Sequence, residues 1–274
     1  MSEIHPENYS HLRNLMCECI AVHLPDDKAY LAEARLHSLA REYTQGDINA
    51  LIEKACSDTG DELRCQLVEA MAINETYFFR DPIFNESFID HMLPNLMKRR
   101  RSDKTLRIWS AACSTGQEPY SIALLLEEHF PELKDWDVQI IASDFSRQSL
   151  SKAQSGRYGL TEMNRGLPAL LMAKHFEQID LEWQVKPVIR EKVEFQRINL
   201  IHDWPEALPQ FDIVLLRNVL LYFSMADRMK VLHKVRSQCR DDGYLLLGAA
   251  ENLEIASGFT PVQAGKCGRF YQPG

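Results

Sequence analysis

The stretch Leu106-Arg107-Ile108-Trp109-Ser110-Ala111-Ala112-Cys113-Ser114-Thr115-Gly116-Gln117-Glu118-Pro119-Tyr120-Ser121-Ile122-Ala123 puts a carboxylate where an apolar run passes through a small-residue turn into a helical pattern. Bare backbone N–H groups at a helix N-terminus, with the positive end of the dipole behind them, welcome a phosphate. Glu118 repels one. The same carboxylate suits an ammonium or a sulfonium, and S-adenosylmethionine carries both charges without a phosphate. The glycines agree, because a dinucleotide turn needs three and this turn has only Gly116. The competing interpretation is an ordinary strand-to-helix turn closed by Thr115 and Glu118 as a capping box.

Ligands of open parallel sheets bind beyond the carboxyl ends of the strands. The first strand delivers Ala111 through Glu118, the second delivers Asp144, and the apolar run Phe211–Leu216 delivers Arg217 and Asn218. An acidic residue in the place of Asp144 suits the two ribose hydroxyls, donors that an ionised carboxylate accepts; it also suits an N-cap of the next helix. Asn199-Leu200 offers an amide for a base edge and an apolar side chain for its face. The sequence contains no obvious Ser-His-Asp, Cys-His or metal-ligand arrangement, so no metal is expected.

These residues need a frame that alternates strand and helix. Strands are expected at Leu106–Ala111, Val138–Ala142, Phe211–Leu216 and Tyr244–Leu247, with helices at Tyr120–His129, Arg147–Gln154 and from Ser224 to about Cys239. That is the rhythm of right-handed βαβ units in a mostly parallel sheet. Phe270-Tyr271 is expected to close the sheet at its edge. Between Gly156 and Leu200 the rhythm breaks into short polar-alternating runs, Trp183–Arg190 and Val193–Ile198, read as a small antiparallel β subdomain inserted at about 173–199. Residues 1–73 read as an all-helical N-terminal domain and 74–274 as an α/β domain. Breaks fall at Pro25-Asp26-Asp27, Gly46-Asp47 and Thr59-Gly60-Asp61, with the aspartates as N-caps. Lys28, Arg35, His37 and Arg41 fall on one predicted helix and present either a solvated surface or a basic face. Asp81 and Pro82 read as the N-cap and first residue of a helix toward Met97.

The 274 residues carry a formal charge of −8 and seven cysteines. The charge argues against general affinity for nucleic acid, and the basic run Lys98-Arg99-Arg100-Arg101 reads as a solvated helix end or a contact for an acidic protein surface. The odd cysteine number, with no C-x-x-C pair, fits reduced and mostly buried thiols. No apolar run approaches the ~20 residues of a membrane span, and no signal peptide is evident, so a cytoplasmic location is expected.

Asn74-x-Thr76-x-Phe78-Phe79-Arg80, Ala112-Cys113-Ser114-Thr115-Gly116-Gln117-Glu118-Pro119-Tyr120-Ser121, Ala142-Ser143-Asp144, Asn199-Leu200 and Arg217-Asn218-Val219-Leu220-Leu221-Tyr222-Phe223 together resemble the CheR-type chemotaxis receptor methyltransferases, in that family's order and over almost the whole chain. The resemblance implies a Rossmann-like methyltransferase sheet and S-adenosylmethionine-dependent esterification of glutamate side chains on the cytoplasmic helical bundle of chemoreceptors, with S-adenosylhomocysteine as product. By matching position, Asn74, Thr76, Arg80, Glu118, Asp144, Asn199, Leu200, Arg217 and Asn218, with Ala111, would line the cofactor site, and Arg80 and Tyr222 would face the reacting carboxylate. Gln117 stands where many members have glutamate, Ala249-Ala250 before Glu251 replaces a more polar pair, and Ser224 replaces a common aspartate. Some members grip a receptor's C-terminal peptide with the β insertion; the loop within Gln178–Gln184 looks short for that, so no tether is expected. A glutamate is already anionic at neutral pH and needs no general base, in keeping with the missing triad. The motif expected of base-amino methyltransferases is replaced by Arg217-Asn218-Val219-Leu220, which speaks against a nucleic acid substrate. The alternative is a non-catalytic module that binds the cofactor or its demethylated product and signals through the helical unit.

Overall fold

A computed structural model describes residues 3–57, 61–253, 257–264 and 267–274. By their packing they fall into two compact units, Met1–Ile73 with Tyr222–Asp227, and Asn74–Leu221 with Arg228–Gly274. No described helix is long and apolar enough to cross a membrane.

The first unit contains helices α1 (Pro6–Ile20), α2 (Ala29–Thr44), α3 (Ile48–Ser57) and α4 (Asp61–Met71). Its core is built from Leu12, Met16, Leu36, Ala40, Leu51, Ile52 and Ala55, all fully buried. Asp47 caps α3 as expected, accepting the N–H groups of Asn49 (2.9 Å) and Ala50 (3.1 Å). At α2 the cap position belongs to Lys28, without a side-chain bond, so Asp26 and Asp27 do not cap. Thr59-Gly60 lies outside the described residues. The basic face of α2 is thinner than the sequence suggested: Arg35 donates to the Met71 carbonyl (2.6 Å), while His37 and Arg41 stay exposed.

The second unit is built on a seven-stranded sheet in the order β6-β2-β1-β7-β8-β10-β9. The strands are β1 (Thr105–Ala111), β2 (Asp137–Asp144), β6 (Val193–Arg197), β7 (Phe211–Leu216), β8 (Cys239–Leu247), β9 (Phe259–Ala264) and β10 (Cys267–Pro273). The first five run parallel, and β10 pairs antiparallel with both β8 and β9. Strand β7 is buried along its whole length, as a central strand covered on both faces must be. A second sheet, β3 (Arg157–Gly159), β5 (Glu182–Val185) and β4 (Phe176–Ile179), is antiparallel throughout.

Four expectations are corrected. Val193–Arg197 belongs to the main sheet, in register with Ile140–Asp144, so the small sheet spans residues 157–185 and the boundary at about 173–199 does not hold. Its alternation is real, but it marks an edge strand with one face toward solvent. Pro187–Arg190 is a helical turn, because Pro187 at its first position cannot donate to a ladder. Phe270-Tyr271 is not at the edge, which β9 occupies. Asp241-Asp242-Gly243 lies within β8. Of the six cysteines with described side chains only Cys113 and Cys239 are buried, so the thiols are not mostly interior.

Arg99 and Arg100, at the end of α6 (Leu93–Arg99), fasten the amino ends of the sheet. Arg100 is 8% exposed and donates to Asp212 (2.7 Å), which is fully buried, and to Asp242. The second Asp212 oxygen accepts the Arg107 N–H (2.8 Å). Arg100→Ala leaves the buried Asp212 charge to the more distant Arg240 guanidinium at 3.6 Å and is expected to lower unfolding free energy by about 3–5 kcal/mol, read by urea denaturation. Hydrogen bonding from Arg100 also holds the Asp242 carboxyl below its ordinary range. Its contribution is therefore present above pH ~4 and fades as the pH falls through the depressed value; an acid titration of wild type against Asp242→Asn reads that window.

Candidate functional site

Ser110, Ala111 and the turn after β1 meet the ends of β2 and β7 at one edge of the sheet, the carboxyl edge. The turn is conformationally demanding: Ala112 (φ 59), Ser114 (φ 52) and Gly116 (φ 93) are all left-handed. A Cβ at Gly116 would lie 2.8 Å from the Ala153 Cβ, so only glycine fits. Gly116 occupies the cap position of α7 (Gln117–His129) without a side-chain cap, and Thr115 bonds Gln117 (2.8 Å) instead. The capping box is therefore absent, and Glu118 is turned elsewhere.

Glu118 accepts from the Ser110 hydroxyl (2.7 Å) and from Arg217 (2.9 Å). Arg217, 8% exposed, also donates to Asp81 (2.5 Å) and to the Arg80 carbonyl (3.2 Å), and its guanidinium lies over the Phe84 ring at 4.4 Å. Asp81 stands at the start of α5 (Pro82–Ser87) but its side chain caps nothing, contrary to the expectation; with φ 61 it turns its carboxylate to Arg217. Two carboxylates against one guanidinium leave one net negative charge.

Asp144, 4% exposed, accepts the Ser114 N–H (2.8 Å) and the Ser146 N–H (2.9 Å). The cap of α8 (Arg147–Ser155) is Ser146, which accepts from Ser149 at 3.1 Å. The Ile198 N–H donates to the Asp144 carbonyl (3.1 Å), placing Asn199 beside it. Asn199 accepts the Ile201 N–H (3.2 Å), and Leu200 is 6% exposed. Asn74 enters through its carbonyl, which accepts the Ser114 hydroxyl (2.8 Å), and the Phe79 N–H reaches the Ser121 hydroxyl (2.9 Å). Half-buried Thr76 lies on the segment between them. The Arg80 guanidinium rests over the Tyr77 ring at 5.4 Å and meets the Glu75 carbonyl (3.3 Å); it has no acidic partner among the described residues. Asn74, Arg80, Glu118, Asp144, Asn199 and Arg217 are thus linked through a few bonds and adjoining backbone, while Ala111 ends β1 next to Ser110 and Asn218 follows Arg217. Tyr222 is half-buried and belongs to the first unit, where its carbonyl accepts the His23 N–H (3.2 Å).

Glu251 carries more of this site than its sequence context suggested. Only 3% exposed, it accepts three backbone N–H groups: Asn218 (2.6 Å), Leu220 (2.8 Å) and Gly248 (2.7 Å). It holds Asn218 at φ 61. No local motif announces such a role, since its Asn218 and Leu220 partners lie some thirty residues away. Asp81 was hidden by the proline after it, which made it look like a cap.

The site's leftover valences fit a ligand. Arg217 Nε and Asn218 Oδ1 are buried without a protein partner, a costly state unless something else pairs with them. The net negative charge fits a cationic group.

Residues 74–266 match the profile of the CheR methyltransferase, SAM binding domain. The chain belongs to the CheR methyltransferase family. It is 38% identical over 235 residues to chemotaxis protein methyltransferase 1 of Pseudomonas aeruginosa, covering 84% of each chain. It is 35% identical over 251 residues to the Cher2 chemotaxis protein methyltransferase of Pseudomonas putida, covering 90% of each. A Borreliella burgdorferi chemotaxis protein methyltransferase is 30% identical over 251 residues, covering 90% of this chain and 88% of that one. As a CheR member the chain is an S-adenosylmethionine-dependent methyltransferase.

Glu251→Gln has one acceptor oxygen for the three N–H groups. It is expected to cost about 1–3 kcal/mol of stability, measured by urea denaturation, and to lower methyl-transfer turnover more than cofactor affinity.

Proposed function

We propose that this chain esterifies glutamate side chains on the cytoplasmic helical bundle of membrane chemoreceptors, working in the cytoplasm and releasing S-adenosylhomocysteine. The observation that carries the cofactor half is the Glu118–Arg217–Asp81 cluster, whose excess carboxylate faces the need of an ammonium or sulfonium. The names of the relatives, all chemotaxis methyltransferases, support the substrate half.

When bound, the cofactor supplies an electrophilic methyl group on a cationic sulfur. The chain's residues do the rest. Glu118 and Asp81 provide negative potential for the cofactor's cationic end, with Arg217 locking both carboxylates in place. Asp144 receives the ribose hydroxyls, and Asn199 and Leu200 take the base. Asn74, Thr76, Ala111 and Asn218 complete the lining. Arg80, lacking an acidic partner among the described residues, is placed to bind a carboxylate, either the substrate's or the cofactor's. A glutamate needs no deprotonation at neutral pH, so these residues hold, align and dry the reactants, and none has to act as a base. A non-catalytic signalling role finds no supporting observation.

The hairpin between β4 and β5 turns in two residues, Asp180-Leu181, since Ile179 pairs with Glu182. So short a loop supports the absence of a peptide tether; tight calorimetric binding of an isolated receptor tail peptide would contradict it. With methyl-labelled cofactor and receptor cytoplasmic fragments, the label on the receptor is expected to be lost in mild base, as an ester is; base-stable label would mean amine methylation. Arg80→Ala is expected to lower turnover about a hundredfold or more with an unchanged melting temperature, and unchanged kinetics would remove Arg80 from the site.

A further inference from the structure

The basic run Lys98-Arg99-Arg100-Arg101 is divided by the fold. Arg99 donates to the Asp242 carbonyl (2.8 Å) and lies over the Tyr244 ring, and Arg100 is taken up by Asp212 and Asp242. Lys98 and Arg101 go another way: with Lys104 they border a pocket of about 440 Å³. That volume lies within the roughly 300–1,000 Å³ of small-molecule sites. Its apolar wall is Pro94, Met97, Phe130 and Trp136, and its one acidic lining residue is Glu132.

A solvated helix end does not account for this arrangement. Lys98 lies in the last turn of α6, where a cation complements the dipole, but Arg101 and Lys104 are beyond it. Lys104 is left-handed (φ 48), its N–H on the Arg100 carbonyl (2.8 Å) and its own carbonyl accepting the Asp137 N–H (2.9 Å). The backbone of the cationic turn is therefore pinned where β1 and β2 begin. All three cations are exposed, and none has a side-chain hydrogen bond or ion pair among the described residues. Three positive charges against Glu132 leave two, matching a phosphate monoester near neutral pH. The flat indole of Trp136, beside Phe130 and Met97, offers an aromatic ring the stacking surface it prefers.

We propose that this pocket binds a nucleoside monophosphate, with the base against Trp136 and Met97 and the phosphate on Lys98, Arg101 and Lys104. The pocket lies at the amino ends of β1 and β2, since Lys104 and Trp136 immediately precede them, whereas the cofactor cleft lies at their carboxyl ends. At about 3.3 Å per residue, the seven residues of β1 separate the two by roughly 20 Å.

The test is calorimetric titration of the whole protein with adenosine and guanosine 5′-monophosphate, with the cofactor cleft saturated by S-adenosylhomocysteine. Saturable binding of at least one nucleotide is expected, weakening with salt and falling about tenfold or more in the double variant Lys98→Glu, Arg101→Glu, which should still bind S-adenosylhomocysteine as the wild type does. Absence of binding, binding indifferent to the charge reversal, or binding that disappears when the cleft is filled would each overturn the proposal. So would capture at this pocket of an acidic aromatic peptide in place of both nucleotides, which would make it a protein contact.

Discussion

Arg217 between Glu118 and Asp81 is the constraint on which the site depends. One guanidinium joins the end of β7, the first turn of α7 and the segment before α5, and through Glu118 it reaches the Ser110 hydroxyl on β1. A buried guanidinium is stable only when paired and hydrogen-bonded, so with its two half-buried carboxylates the cluster fixes four chain segments at once. It is also deliberately unbalanced, because the second carboxylate has no second guanidinium. That remaining charge is what the proposed site would offer a cation.

Around that cluster, other carboxylates serve as anchors for backbone N–H groups. Asp144 holds the turn after β1 and the start of α8, while Glu251 holds the loop after β7. Each satisfies donors that would otherwise be orphaned where strands end. The left-handed residues Ala112, Ser114 and Asn218 sit at these anchored points, which is where backbone strain can be tolerated. The result is a pre-shaped cleft whose work is alignment and exclusion of water. That suits a reaction whose nucleophile is already an anion.

Much of this frame could be read from sequence because its signals are local. Phe211–Leu216 emerged at its predicted limits since a strand buried on both faces is a continuous apolar run. The carboxylate positions Glu118 and Asp144 followed from strand ends and turn chemistry. What escaped depends on distant partners. Asp81 looked like a cap because capping is decided within three residues, whereas its actual partner is 136 positions away. Glu251 bonds across some thirty residues, and no periodicity records that. Val193–Arg197 alternates as an inserted hairpin strand would, and only its pairing with β2 places it at the edge of the main sheet.

The central claim is that the cleft's excess negative charge selects the cofactor's cation. The most direct measurement is the calorimetric affinity of S-adenosylmethionine for wild type and for Glu118→Gln, which keeps the shape and removes one charge. A loss of about tenfold or more, smaller at high salt, is the result this account requires. Equal affinity in the two proteins would contradict it.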